Sequence, residues 1–170
     1  MQRAGFPRVS PTSTRRRTSA VVAISVALAV SLAGCSLSVP SDPEGTLANV
    51  TGGELRVGVT IEPGLVDPDG SGVSGPLVDL VQDFSATIHT EPEWTIGSEE
   101  TLVGLLEDGE LDLLIGGFTD KSPWTDRAGM TRGYQEIDGA DGRSVVLLVP
   151  LGENAFLTKL ESFLDEEVGP

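Results

Sequence analysis

The sequence predicts an α/β domain of four to five mostly parallel strands joined by crossover helices. Three observations carry this. Strand-like and helix-like periodicities alternate from Leu55 onward, the pattern that lays helices over a parallel sheet. The run Leu111 to Ile115 is apolar except for Asp112, as a strand covered on both faces requires. The chain has 170 residues, and a domain typically holds about 100–150, so one domain accounts for what an N-terminal leader leaves.

The elements follow in order. Leu55 to Ile61 alternates apolar with small or polar residues, a strand signal. A turn-rich loop, Glu62 to Gly75, leads to Pro76, which suits a first helical position. Leu77, Leu80, Val81, Phe84 and Ile88 then recur at helical spacing, predicting a helix to about His89. Glu93 to Ile96 is the second strand. Ser98 caps the next helix, Glu99 and Glu100 suit the positive end of its dipole, and Gly109 stops it. Leu111 to Ile115 is the third strand, Ser144 to Pro150 a further one, and Asn154 to Leu164 a closing helix with Phe156, Leu157, Leu160, Phe163 and Leu164 inward.

Ahead of this domain the composition changes. Arg3, Arg8, Arg15, Arg16 and Arg17 precede the first acid, Asp42, and an apolar run of fifteen residues, Ala20 to Gly34, follows them. A spanning helix needs about 20 apolar residues; a basic region, a shorter apolar run and small residues read as a secretory signal. The expected organisation is a signal peptide over 1–34, a lipidated N-terminus and flexible tether over 35–52, and the α/β domain over 53–170. Loss of the five leader arginines takes the net charge from -15 to -20. General secretion fits better than twin-arginine export, because Thr18 and Ser19 follow the arginine cluster.

Composition excludes several functions. The acidic balance argues against a phosphate backbone as partner, so no nucleic acid is expected. One cysteine and one histidine, His89, supply neither a multi-cysteine metal site nor a triad base. No cofactor and no catalysis are expected. Gly70, Gly72 and Gly75 match G-x-G-x-x-G, but several loop residues, Asp67 and Asp69 among them, separate them from the strand a dinucleotide site needs. Read as a calcium loop, the same stretch puts Val78 where a bidentate glutamate belongs; Asp-Pro-Asp-Gly is a turn signal in its own right.

The most informative stretch is Leu111 to Tyr134. A buried strand runs into Gly116-Gly117, then Phe118-Thr119, then a polar segment with Arg127. In open α/β sheets ligands bind beyond the carboxyl ends of the strands. There Gly117 would admit a ligand to the backbone, Thr119 would offer a hydroxyl, and Arg127 would either grip a carboxylate bidentately or be satisfied by acids such as Asp126.

Leu32-Ala33-Gly34-Cys35 resembles the lipobox of bacterial lipoproteins, which implies lipidation of Cys35, palmitate included. LRVGVTIEPG, the Gly75-Pro76-Leu77-Val78-Asp79-Leu80 helix start, LLEDGELDLLIGG and the GGFT turn resemble family 3 extracellular solute-binding proteins of ABC importers. The resemblance covers about Leu55 to Tyr134. It implies a three-layer lobe of the type II periplasmic-binding-protein fold, with ligand-binding positions at Glu62, Pro63, Gly117, Thr119, Trp124 and Arg127. The family's arginine position is occupied by Trp124, and Arg127 lies three residues on.

Only nine residues, Gln135 to Arg143, separate Tyr134 from the strand at Ser144, where the family inserts a second lobe. This implies a lobe-one-only variant that binds its solute weakly. The expected role is a lipid-anchored solute-binding protein for an amino acid or similar small solute, on the extracytoplasmic face of the cell membrane, with a transporter permease as partner. The alternative is a cell-surface interaction or sensor module that kept the lobe and lost transport.

Overall fold

The computed structural model describes Gly5 and residues 42–169; the expected signal peptide and the Cys35 lipidation site lie outside the described residues. The chain runs α1 (Thr46–Val50), β1 (Glu54–Val59), β2 (Asp67–Asp69), β3 (Gly72–Ser74), α2 (Pro76–Thr87), β4 (Glu91–Ile96), α3 (Glu99–Glu107), β5 (Leu113–Ile115), β6 (Ala128–Met130), β7 (Leu148–Pro150) and α4 (Asn154–Glu167). Five strands form one sheet in the order β4-β1-β5-β7-β6, and β2 pairs with β3 as a separate hairpin. β1 is parallel to β4 and β5, while β7 is antiparallel to β5 and β6. Four of the five strands therefore point the same way, as the alternation predicts.

The sheet divides the apolar interior in two. Val57, Val59, Leu113, Ile115, Leu147 and Val149 face α2 and α4, with Val50 of α1 beside them. Leu114, Val146 and Leu148 face Leu102, Val103 and Leu106 of α3. This split is the period-two alternation of strands read on both faces, and it makes three layers. Phe84 of α2 meets Phe156 and Phe163 of α4 at centroid separations of 5.9 and 5.5 Å, which ties the two helices on that face together. At the amino end of the sheet Asp112 accepts from the backbone N–H of Arg56 at 2.9 Å and pairs with its guanidinium at 2.5 Å, joining the starts of β1 and β5.

Local chemistry sets the helix ends. Pro76 opens α2 where its missing N–H costs nothing. α2 ends at Thr87 rather than near His89, and exposed His89 itself takes a left-handed φ of 58°. Ser98 caps α3, its hydroxyl accepting from the Thr101 N–H at 3.4 Å.

Three expectations are corrected. Residues 42–52 are not tether: α1 forms there, Val50 is buried, and Glu153 accepts from the backbone N–H of Glu44 at 2.9 Å and of Thr46 at 2.8 Å. Their polar composition hides a segment held by another element's carboxylate. The Glu62–Gly75 loop contains the β2–β3 hairpin, turned on Gly70 at a φ of 61°. Ala128–Met130, in a stretch with no apolar period, is the edge strand β6, paired with β7 through Gly129 opposite Val149.

Candidate functional site

The parallel register brings the carboxyl ends of β4, β1 and β5 to one end of the sheet, since Val59 stands between Ile96 and Ile115. Beyond β1 the chain makes a tight turn in which Val66 donates to the Glu62 carbonyl at 2.8 Å and Glu62 donates to the Val66 carbonyl at 3.0 Å. That turn projects the Glu62 carboxylate over Gly117. A Cβ at Gly117 would stand 2.7 Å from Glu62 Oε2, so the absence of a side chain there lets the carboxylate settle. Gly116 is closely backed by Thr60 and has a φ of 148°, a conformation for glycine.

An arginine that the sequence reading left out completes this group. Arg143 Nη1 lies 2.5 Å from Glu62 Oε1. Its Nε donates to the Ala140 carbonyl at 3.0 Å and its Nη2 to that of Gly139 at 3.4 Å, fixing the guanidinium plane. It is delivered by strand pairing: Val145 bridges both Thr119 and Tyr134, so the residues just before it sit at the carboxyl end. The available signal was weak, an arginine in Gly-Ala-Asp-Gly-Arg-Ser immediately before a strand.

The sequence-predicted residues divide. Glu62 and Gly117 touch, exposed Pro63 occupies the same turn, and Thr119 follows Gly117 with its hydroxyl accepting from the Lys121 N–H at 3.4 Å. Arg127 lies elsewhere, while Trp124 stands against the first residue of α3, just beyond the carboxyl end of β4. Arg127 precedes Ala128, whose partner Pro150 ends the antiparallel strand, and this places it at the amino end of the sheet. There its Nε donates to Glu107 at 2.9 Å and its guanidinium sits 5.3 Å over the Trp124 ring. The hydrogen bond to Glu107 raises the Arg127 pKa and lowers that of Glu107. Trp124 Nε1 donates to Glu99 at 3.2 Å. Arg127 is thus satisfied by an acid, Glu107 and not the neighbouring Asp126, and it borders a groove of about 640 Å³ with Arg56, Asp112 and Leu151. It is separate from Glu62 and Gly117.

Two of the three large exposed apolar side chains among the described residues, Ile61 at 40% and Ile96 at 49% exposure, lie at the carboxyl end as well. The site therefore offers a fixed guanidinium, a carboxylate on a glycine floor and an apolar lip. Chemically it can pair both charges of a small solute while covering part of its apolar surface.

The three-layer lobe with the strand order β4-β1-β5-β7-β6 has the fold of a periplasmic-binding-protein lobe. No family model matches the sequence, and no curated protein matches it. Solved structures do. Domain 1 of TmArgBP, a point mutant in arginine-bound form, aligns at a TM-score of 0.62 and 21% identity, covering 72% of this chain and 97% of that one. A mutant of ArgBP from T. maritima aligns at 0.61 and 12%, covering 71% and 92%. An ancestral arginine-binding protein bound to arginine aligns at 0.58 and 14%, covering 66% and 91%. At these identities the likeness is one of fold.

Proposed function

We propose that this chain is a lipid-anchored, extracytoplasmic solute-binding protein that captures an amino acid or similar small solute for an ABC importer. The observation that carries the reading is the Glu62–Arg143 pair seated on Gly117 at the carboxyl end of a solute-binding-type lobe. Two further observations support it. The structural neighbours are binding proteins, and one of them is a single domain in arginine-bound form, so a lobe of this fold can hold a solute without a second. A basic leader, an apolar run and Cys35 at the end of a lipobox-like segment supply the anchor, and the permease is the partner that this arrangement serves.

The test is calorimetric titration of the full chain in mild detergent with L-arginine, L-lysine and a panel of neutral and acidic amino acids. Saturable heat with at least one member is expected. Silence across the panel at millimolar concentration would overturn the reading. In that case the exposed Ile61 and Ile96 favour the second reading, a surface module that docks a protein through the same end of the sheet.

A further inference from the structure

The segment that precedes β1 is fastened to the start of α4 through two neighbouring carboxyls. From this geometry we infer that a proton shared between Asp42 and Glu153 acts as a clasp. It closes in mildly acidic surroundings, loosens as pH rises, and sets how much free chain precedes the lobe. The clasp stands apart from the solute-binding reading and from the groups at the carboxyl end of the sheet.

Glu153 stands immediately before α4, is buried, and has both oxygens engaged: Oε1 accepts from the Glu44 N–H at 2.9 Å and Oε2 from the Thr46 N–H at 2.8 Å. Asp42 approaches it to hydrogen-bonding reach. Asp42 Oδ2 accepts from the Leu47 N–H at 2.9 Å. Its Oδ1 is buried with no hydrogen-bond partner, although the Phe156 N–H in the first turn of α4 stands near. Among the described residues no ion pair includes either carboxyl. The elements packed on α1 are β1 and α4. On β1, Arg56 is taken by Asp112 and Glu54 sits beside Glu93. On α4, Lys159 lies more than a turn from the start, and Glu161 and Asp165 hold Arg132. The segment's own Glu44 is exposed.

Two carboxylates held this close out of water repel, so one takes a proton. Glu153 is the better anion, with two N–H donors and the positive end of a helix behind it. Asp42, with one donor and an orphan oxygen, is the better acid, and once protonated it donates to Glu153. The titration directions agree. Burial first, then the Glu153 hydrogen bond, push the Asp42 carboxyl up; against its own burial, the Glu44 N–H, Asp42 and the Thr46 N–H hold Glu153 down. Asp42 therefore favours the docked segment at low pH and stops doing so as pH rises through its folded value, above 3.8. Glu153 favours it at high pH and stops as pH falls through its folded value, below 4.5. The clasp is tightest between the two, at about pH 4.

Little else holds the segment. From 42 to 50, Val50 is the one buried apolar side chain and Leu47 is half-buried. Just beyond, the chain is pinned: Gly52 donates to the Ile88 carbonyl at 3.0 Å, and the Gly53 carbonyl accepts from the Thr90 hydroxyl at 2.8 Å. Opening the clasp therefore frees residues 42–50 and stops there, about 30 Å of extended chain. On the lipid-anchored reading, that is added reach above the membrane in neutral surroundings.

The test is hydrogen exchange at the Glu44, Thr46 and Leu47 amides of the full chain in mild detergent, from about pH 3.5 to 8, with the β1 amides as internal reference. Protection factors remove the pH dependence of chemical exchange itself. Protection of the three amides is expected to peak at about pH 4 and to fall by about twofold to tenfold toward neutrality, the net worth of one hydrogen bond, while β1 keeps its protection. Asp42→Asn, which carries a donor at every pH, is expected to abolish that fall. Protection that stays flat across the range overturns the inference. So does a fall that β1 shares, or one that persists in Asp42→Asn.

Discussion

Replacement of Glu153 by alanine should loosen the whole segment that precedes β1. The Glu153 carboxylate is 1% exposed and accepts from the backbone N–H of Glu44 and of Thr46. Each hydrogen bond from an uncharged donor to a buried charge is worth about 1.5–3 kcal/mol. The gross loss is therefore about 3–6 kcal/mol, less what Asp42 gains when the carboxylate beside it is gone. Burial, and next the hydrogen bond with Glu153, push the Asp42 carboxyl up; burial also pushes Glu153 up, but the Glu44 N–H, Asp42 and the Thr46 N–H outweigh it and hold it below its ordinary value. A net cost of about 2–3 kcal/mol remains, which for a domain of this size lowers Tm by roughly 6–12 °C. Thermal melts followed by circular dichroism measure the cost, and hydrogen exchange localises it to residues 44–50. An unchanged Tm with unchanged protection at Glu44 and Thr46 would refute the argument that these contacts hold α1.

The same pair predicts pH behaviour of opposite sign. Asp42, raised in the fold, contributes stability below about pH 3.8 that is lost as pH rises through its folded value. Asp42→Asn, which keeps an acceptor for the Leu47 N–H and offers a donor to Glu153, should therefore gain about 1 kcal/mol at neutral pH and nothing in acid; an equal gain at both would contradict it. Gly117→Ala puts a Cβ 2.7 Å from Glu62 Oε2; arginine affinity should fall about tenfold while Tm moves little, because a flexible side-chain end can yield, and a large Tm loss would show the floor to be structural. Phe84→Ala removes the ring that joins α2 to α4 and should cost about 3–5 kcal/mol, read from a denaturant midpoint; a loss below about 1 kcal/mol would mean the aromatic cluster does not carry that layer. Cys35→Ser should move the chain from the membrane fraction to the soluble fraction, and retention in the membrane would count against the lipid anchor.

What was legible in the sequence follows from how local each determinant is. Strands β1 and β5 and helices α2, α3 and α4 are written in apolar spacing, capping residues and a proline at a helix start, all of which act within a few residues. Segment α1 is held by Glu153, more than one hundred positions away, and β6 by pairing with a strand that follows it by about twenty residues; neither leaves a local mark. The candidate site divides on the same line. Glu62 and Gly117 stand directly after strands that the pattern reveals; the carboxyl-end rule finds Gly117, and the family resemblance supplies Glu62. Arg127 lies nearer to them in sequence than Arg143 does, yet a run of turns and the start of β6 carry it to the far end of the sheet, while strand pairing at Val145 brings Arg143 back.

That return has a consequence for how such a site would gain affinity. The nine residues from Gln135 to Arg143 pack tightly enough that a Cβ at Gly139 would collide with the Gly64 carbonyl. Tyr134, at the head of the segment, donates to Asp165 of α4 at 3.0 Å. Arg143, at its end, is hydrogen-bonded to two carbonyls of the segment itself. The guanidinium is thus placed before any solute arrives, and little side-chain entropy remains to be lost on binding, a cost otherwise of about 0.5–1.5 kcal/mol for a mobile side chain. A two-lobed clamp acquires affinity by closing; a lobe with a fixed arginine acquires it by preorganisation. The two differ in kinetics, because closure slows both arrival and escape, whereas an open preorganised site exchanges its solute quickly. Arginine binding here should accordingly appear as fast exchange in NMR titrations, and slow exchange with separate free and bound signals would show that closure by some second element is at work.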